Sequence, residues 1–301
     1  MKIDFHVHPL LKQISEKGIL SEMEKAGIEK AVLLALDLNP NALENSRKRQ
    51  EIMQKCVNCN IWSSESVLES MKRILTMANT SNKLVAKITK NFGKRFIGIG
   101  SVDPSRDVNY VKEKLKEIEK LRLEGVKLIP TLQLFNPKDE REKLNRILEF
   151  CEKEDKILIF HTGCDLAVWE NPCFSENANP KLLEEFIRSF KKINFVLAHM
   201  GAYSSRYPGI WLDEALKLGK KYHNVWFDIS AVTYLVDEKE FVDKIRCEVG
   251  WNHVLFGSDF PVIQRETMAS AVKRVKNSSL ISEKEKIGIL GLNAARLLKL
   301  I

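Results

Sequence analysis

Two histidines open the chain at an i, i+2 spacing, His6 and His8 in "IDFHVHPL" (residues 3–10). Alternate residues of a strand share a face, so both imidazoles would project to the same side. Neutral imidazoles held side by side suit a divalent cation, which needs a few fixed nitrogen or oxygen ligands. The pair alone is a weak signal. Three more metal-competent side chains end apolar runs elsewhere: His161 in "LIFHTG", His199 in "VLAHMG" and Asp259 in "LFGSDFP". Only six histidines are present, and packing does not require four of them at such positions. The other two, His223 and His253, stand at or before the starts of apolar runs and are expected to be structural. Lys127 lies inside the apolar stretch "GVKLIP", where an unpaired charge is costly.

Positioning these side chains requires strands whose ends converge. Candidate strands run over 2–6, 30–36, 95–101, 125–129, 156–161, 193–199, 224–230 and 253–259. Most are near-continuous apolar runs, as expected for parallel strands covered on both faces. Helical patterns separate them. Val108, Val111, Leu115, Ile118 and Leu121 fall at the three- and four-residue spacing of a buried helix face. Ser282 followed by Glu285 reads as a capping box that starts a C-terminal helix. Eight β-then-α units predict an α/β fold, a (β/α)8 TIM barrel, as one domain over residues 1–301. The C-terminal strand ends would then bring residues 6, 8, 161, 199 and 259 to one rim. The long connection after the second strand, about 40–90, is an insertion expected to add one or two helices on that rim, as a lid or pocket wall or as a passive excursion.

Composition narrows the function. The net charge is +8, but lysines alternate with glutamates in helices such as "DVNYVKEKLKEIEKL", which describes a solvated exterior rather than a nucleic-acid surface. A small anionic substrate is compatible with that balance. No apolar run is long enough to span a membrane and the N-terminus lacks a signal-peptide pattern, so a cytoplasmic location without membrane partners is expected. The six cysteines are expected to be reduced, Cys151 in the core. Cys56 and Cys59 of "CVNC" would share the rim with Cys164 and Cys173; packed thiols are the expectation and a four-cysteine metal clip the alternative. Gln133, Tyr203 and Arg206, in loops after strands, are candidate substrate contacts, Arg206 through its planar fork.

The motifs "IDFHVHP", "GVKLIP", "LIFHTG", "VLAHMGA", "VWFDIS" and "VLFGSDFP", in this order, resemble the amidohydrolase superfamily. The likeness is to its amidohydrolase-related branch, which includes aminocarboxymuconate semialdehyde decarboxylase, resorcylate-type decarboxylases and several lactone and amide hydrolases. It covers both ends of the chain and nearly everything from about residue 95 onward, including the closing "EKEKIGILGLNAARLLKL". The resemblance implies that His6, His8, His161 and Asp259 bind a divalent metal, with zinc the first expectation and manganese, iron or cobalt the alternatives. It makes Asp259 and His199 catalytic, His199 aiding catalysis with one metal or binding a second. It leaves Lys127 either as a carboxylated bridge between two metals or as an ammonium holding a substrate carboxylate. The implied function is a metal-dependent hydrolase that uses a metal-activated water on an amide, lactone or ester bond of a small carboxylated substrate. The alternative is a metal-dependent decarboxylase of the same branch, and a non-catalytic binding protein is the third reading. Metal-dependent deoxyribonucleases also open with H-x-H, but they carry a fourth-strand glutamate, and this chain reads Gly125-Val126-Lys127 there. A homodimer is expected by resemblance.

Overall fold

The computed structural model describes residues 1–10, 13–263 and 266–301 of the chain. The strands are β1 (Ile3–Val7), β2 (Lys30–Leu34), β3 (Phe96–Ser101), β4 (Gly125–Leu128), β5 (Ile157–Gly163), β6 (Phe195–Tyr203), β7 (Val225–Asp228) and β8 (Val254–Leu255). All eight are parallel and bond to one another in sequence order. Regular pairing on β8 is short, because the chain beyond it turns to run beside β1. Phe5 N–H donates to the Phe256 carbonyl at 2.8 Å, His8 N–H to Phe260 at 2.9 Å, and Asp259 N–H to His6 at 2.9 Å. These bonds close the ring into a (β/α)8 TIM barrel.

Helices fill the connections. In the first half lie α1 (Glu16–Ala26), α2 (Ser46–Asn58), α3 (Ser64–Ala78), α4 (Asn82–Asn91), α5 (Val108–Lys120) and α6 (Arg141–Lys153). The second half has α7 (Pro172–Ser175), α8 (Glu184–Ser189), α9 (Leu212–Lys221), α10 (Lys239–Glu248), α11 (Met268–Asn277), α12 (Glu283–Ile287) and α13 (Asn293–Leu297). Asp107 caps α5 by accepting from the backbone of Asn109 and Tyr110, and Val111, Leu115 and Ile118 form its buried face. Ser282 and Glu285 make the expected capping box on α12.

Two apolar layers hold the barrel. Inside it, Ile3, Phe5, Val32, Leu34, Ile99 and Ile159 pack together, and Ala294, Ala295 and Leu297 of α13 join them. Outside it, residues of opposite parity such as Ala31, Leu33, Val126 and Leu128 meet the helices. Each large side chain so buried contributes about 1.5–3 kcal/mol.

The insertion adds two helices, α2 and α3; α4 buries Val85 and Ile88 beside Phe96, as an ordinary barrel helix does. The added pair has its own core. Ile52, Cys56, Leu68, Met71 and Leu75 pack against Ile129 and Leu132 after β4 and Trp169 and Phe174 after β5. The insertion therefore sits over the C-terminal rim. Among the described residues no helix is long and apolar enough to cross a membrane.

Candidate metal centre and its cavity

β1 is irregular where its histidines begin. Asp4 pairs with Ala31 and Val7 with Leu33, so three steps on β1 face two on β2. The extra residue is a β-bulge, and a bulge re-aims the side chains that follow it. Phe5 lies in the barrel interior, Val7 faces the helices, and His6 and His8 reach the cavity at the rim. His6 N–H donates to Asp4 Oδ1 at 3.1 Å instead of to the ladder, and Ser258 N–H donates to the same oxygen at 3.0 Å. A side chain thus satisfies a backbone donor that the bulge removes from the sheet. Burial pushes the Asp4 carboxyl up to about 7. The closing segment approaches closely here: a Cβ on Gly257 would lie 2.7 Å from His6 Cβ.

His6, His8 and Asp259 meet at the rim. The two Nε2 atoms are 3.2 Å apart, and Asp259 Oδ1 lies 3.5 Å from His6 Nε2 and 3.3 Å from His8 Nε2. All three side chains are buried. His6 Nδ1–H donates to Asp228 Oδ2 at 2.9 Å, which leaves the Nε2 lone pair turned toward the group. Burial, and then the Lys127 ammonium, hold His6 well below the usual histidine range, so its imidazole is neutral. Burial raises the Asp259 carboxyl, against the hydrogen bond and charge of His8. Facing lone pairs repel unless a proton or a cation lies between them, and two imidazole nitrogens with one carboxylate oxygen are a first-row divalent donor set.

His199 enters through a second irregularity. His161 pairs with Ala198 and Gly163 with Tyr203, so two steps on β5 face five on β6. The loop-out is His199, Met200 and Gly201, with φ of 61°, 52° and 73°. Left-handed backbone costs a non-glycine residue about 1–3 kcal/mol. Surrounding bonds hold it: His199 N–H donates to Asp228 Oδ1 at 3.1 Å and Gly201 N–H to Thr162 Oγ1 at 2.8 Å. The His199 ring centre then lies 4.9 Å from that of His6 and 4.7 Å from that of His161. Its Nδ1–H donates to the Ser230 carbonyl at 2.8 Å, leaving Nε2 as an acceptor. His6, His199 and Asp228 form a second ligand-type group. Asp228 is already engaged there: it accepts from His6, from the backbone of His199 and from the N–H and hydroxyl of Ser230.

His161, expected as a ligand beside His6, His8 and Asp259, lines the same cavity but does not join their group. The turn after β5 brings the Cys164 carbonyl against its ring, and Nε2–H donates to that oxygen at 2.9 Å.

The cavity over these residues measures about 300 Å³. Its floor is His6, His8, Lys127, His161, His199 and Asp259, and its walls include Leu36, Leu132, Leu166 and, from α3, Ile74, Met77 and Ala78. The insertion therefore supplies a pocket wall. Lys127 is 0% exposed, with Nζ 3.5 Å from His6 Nε2. Burial brings its ammonium down to about 8, against the pull of Asp228, Asp259 and Asp165. Tyr203 also lines the cavity.

Two expected substrate contacts do not belong to the cavity lining. Arg206 is exposed and outside the lining, because its backbone belongs to a turn whose N–H groups donate to Glu170. Gln133 is buried but spent on structure: its Oε1 accepts from Ile129 N–H at 2.9 Å, and its Nε2 donates to the carbonyls of Asp37 and Val102 at 3.1 and 3.0 Å. Two carboxyls were missed. Asp228 ends β7 in "VWFDIS", the same kind of signal that marked Asp259. Asp165, four residues after His161 in "HTGCD", lines the cavity and burial pushes it up to about 7. All six cysteines are free thiols, Cys151 is buried in the core, and none joins a candidate metal group among the described residues. His253 stacks on Trp226 at 4.1 Å, remote from the cavity lining.

The profile of the family described as Amidohydrolase matches residues 63–300. No curated protein matches the chain. Among solved structures, an uncharacterized TIM-barrel protein from Bordetella bronchiseptica is similar at a TM-score of 0.70 and 18% identity, over 99% of this chain and 98% of that one. A variant of 5-carboxyvanillate decarboxylase from Novosphingobium aromaticivorans, with bound manganese, gives 0.65 at 14% identity, over 99% and 97%. The 2,6-dihydroxybenzoate decarboxylase from Rhizobium gives 0.61 at 16% identity, over 99% and 98%. At such identities the likeness shows the fold.

Proposed function

The chain belongs to the amidohydrolase family, and on that footing we propose a metal-dependent enzyme that acts at a carbonyl or carboxyl carbon of a small anionic substrate. The convergence of His6, His8 and Asp259 on the floor of a largely apolar cavity carries this reading. These three side chains would hold the cation, with His161 as the neighbouring candidate. A bound divalent ion would supply Lewis-acid stabilisation of charge on a substrate oxygen. Zinc suits the donor set, and manganese stands beside it because two similar decarboxylase structures contain that metal.

For hydrolysis, Asp259, on the cavity floor with Oδ1 3.3 Å from His8 Nε2, takes a proton from the attacking water and returns it to the leaving group. His199 offers Nε2 as an acceptor, so it orients a water O–H and does not polarise a carbonyl. Lys127 pairs with a substrate carboxylate out of contact with solvent. Tyr203 forms part of the substrate wall.

Decarboxylation is the second reading, favoured by a buried ammonium and apolar walls in one cavity, and by the decarboxylases among the similar structures. In that case the bond to the carboxylate carbon breaks, its electron pair stays on the substrate, and a proton from Asp259 takes the place of carbon dioxide.

Protein reconstituted with manganese or zinc and offered 2,6-dihydroxybenzoate, 5-carboxyvanillate and carboxylated lactones separates the two. Metal-dependent release of acid without carbon dioxide supports hydrolysis, and carbon dioxide release supports the second reading. A protein that takes up neither metal contradicts both.

A further inference from the structure

Five buried side-chain polar atoms lack a hydrogen-bond partner among the described residues, and one is the hydroxyl of Tyr203. Buried tyrosine hydroxyls usually find a partner, and an unpaired one destabilises the fold. The hydroxyl of half-buried Tyr234 is satisfied: it donates to the Ala202 carbonyl and accepts from Gly209 N–H, each at 2.9 Å. Tyr203 is 6% exposed and lines the cavity.

Its position is built into the backbone. The strained loop-out at residues 199–201 returns the chain to β5 at Tyr203, which pairs with Gly163. Gly163 has a φ of 104°, and a Cβ there would lie 2.6 Å from Tyr203 N. The ring rests on His199 at 4.6 Å and on the edge of His161 at 5.8 Å, so it does not swing away to find a partner. Burial, and then the nearby carboxyls of Asp259, Asp165 and Glu170, push the phenol well above its usual range. Two of these have donors of their own. Asp165 accepts from Thr131 and from Leu166 N–H, and Glu170 from Ser204, Ser205 and Arg206.

We propose that Tyr203 is a substrate-contacting residue whose hydroxyl donates to a carbonyl or carboxylate oxygen of the bound substrate, selecting molecules that carry an acceptor there. The assignment rests on the reading of this cavity as the substrate site. Bound substrate satisfies a donor that the protein leaves unpaired, while the two histidines fix the donor's direction.

Thermal unfolding of wild type and Tyr203→Phe, with and without millimolar benzoate as the probe, tests it. Without ligand the variant is expected to unfold within about 2 °C of wild type, because the hydroxyl has no protein partner to lose and the ring remains. Its benzoate affinity, from the concentration dependence of the shift, is expected to fall about tenfold. Equal benzoate affinity overturns the proposal, and so does a ligand-free variant that unfolds well below wild type, which would give the hydroxyl a structural partner instead. Wild type that ignores benzoate counts against the anionic-substrate reading instead, and the ligand-free comparison then decides the role of the hydroxyl.

Discussion

Asp228 shows how much the candidate ligands depend on a side chain that does not face the cation position. One carboxylate oxygen takes the Nδ1 proton of His6, and the other takes the backbone N–H of His199. An asparagine there could present an N–H to His6 Nδ1 and so move the imidazole proton onto the nitrogen that faces Asp259. Asp228→Asn is therefore expected to weaken divalent metal binding about 10–100-fold while the barrel stays folded, as a competition titration against a chromogenic chelator would read. Unchanged affinity would mean that Asp228 merely packs. The sequence marked His6, His8, His199 and Asp259 because each ends an apolar run, and the structure gathers them. Asp228 obeys the same rule and was passed over. Gln133 and Arg206 stand outside the cavity lining because loop side chains follow turn geometry, which residue periodicity does not register.

At the scale of elements, regular pieces came out close to their expected places and irregular ones did not. The apolar runs located all eight strands, and the three- and four-residue spacing located α5. A two-residue alternation cannot show a bulge, so nothing in "IDFHVHP" announced that Asp4 would replace a ladder bond for His6. The three left-handed residues inside β6 were equally hidden, since only one of them is glycine. The insertion was visible as an over-long connection, but whether it walls the pocket depended on packing. Helix α3 settles that with Ile74, Met77 and Ala78 at the cavity. Filling the space from that helix should block ligand without touching the metal residues. Ala78→Trp is expected to lower kcat/KM at least tenfold on whichever substrate is turned over, with metal content per chain unchanged. Loss of metal along with activity would instead show that the wall and the metal group are one packed unit.

For the molecule as a whole, closure is the decisive event. Residue 6 lies in β1, residue 8 just beyond it and residue 259 in the segment after β8, so the candidate metal group forms only when the first and last strands of the barrel meet. The same segment bonds β1 through Phe256, Asp259 and Phe260. A ligand that binds only the closed ring stabilises the whole fold by mass action. The alternation of strands and helices made the barrel legible, whereas the standing of His161 apart from the candidate group of His6, His8 and Asp259 was not, because it follows from where a single carbonyl lands after β5. The most direct test is an anomalous-difference map from a crystal of the protein soaked in manganese. The account predicts one strong peak bonded to His6 Nε2, His8 Nε2 and Asp259. A map without a peak there, or with the metal held by other residues, would contradict it.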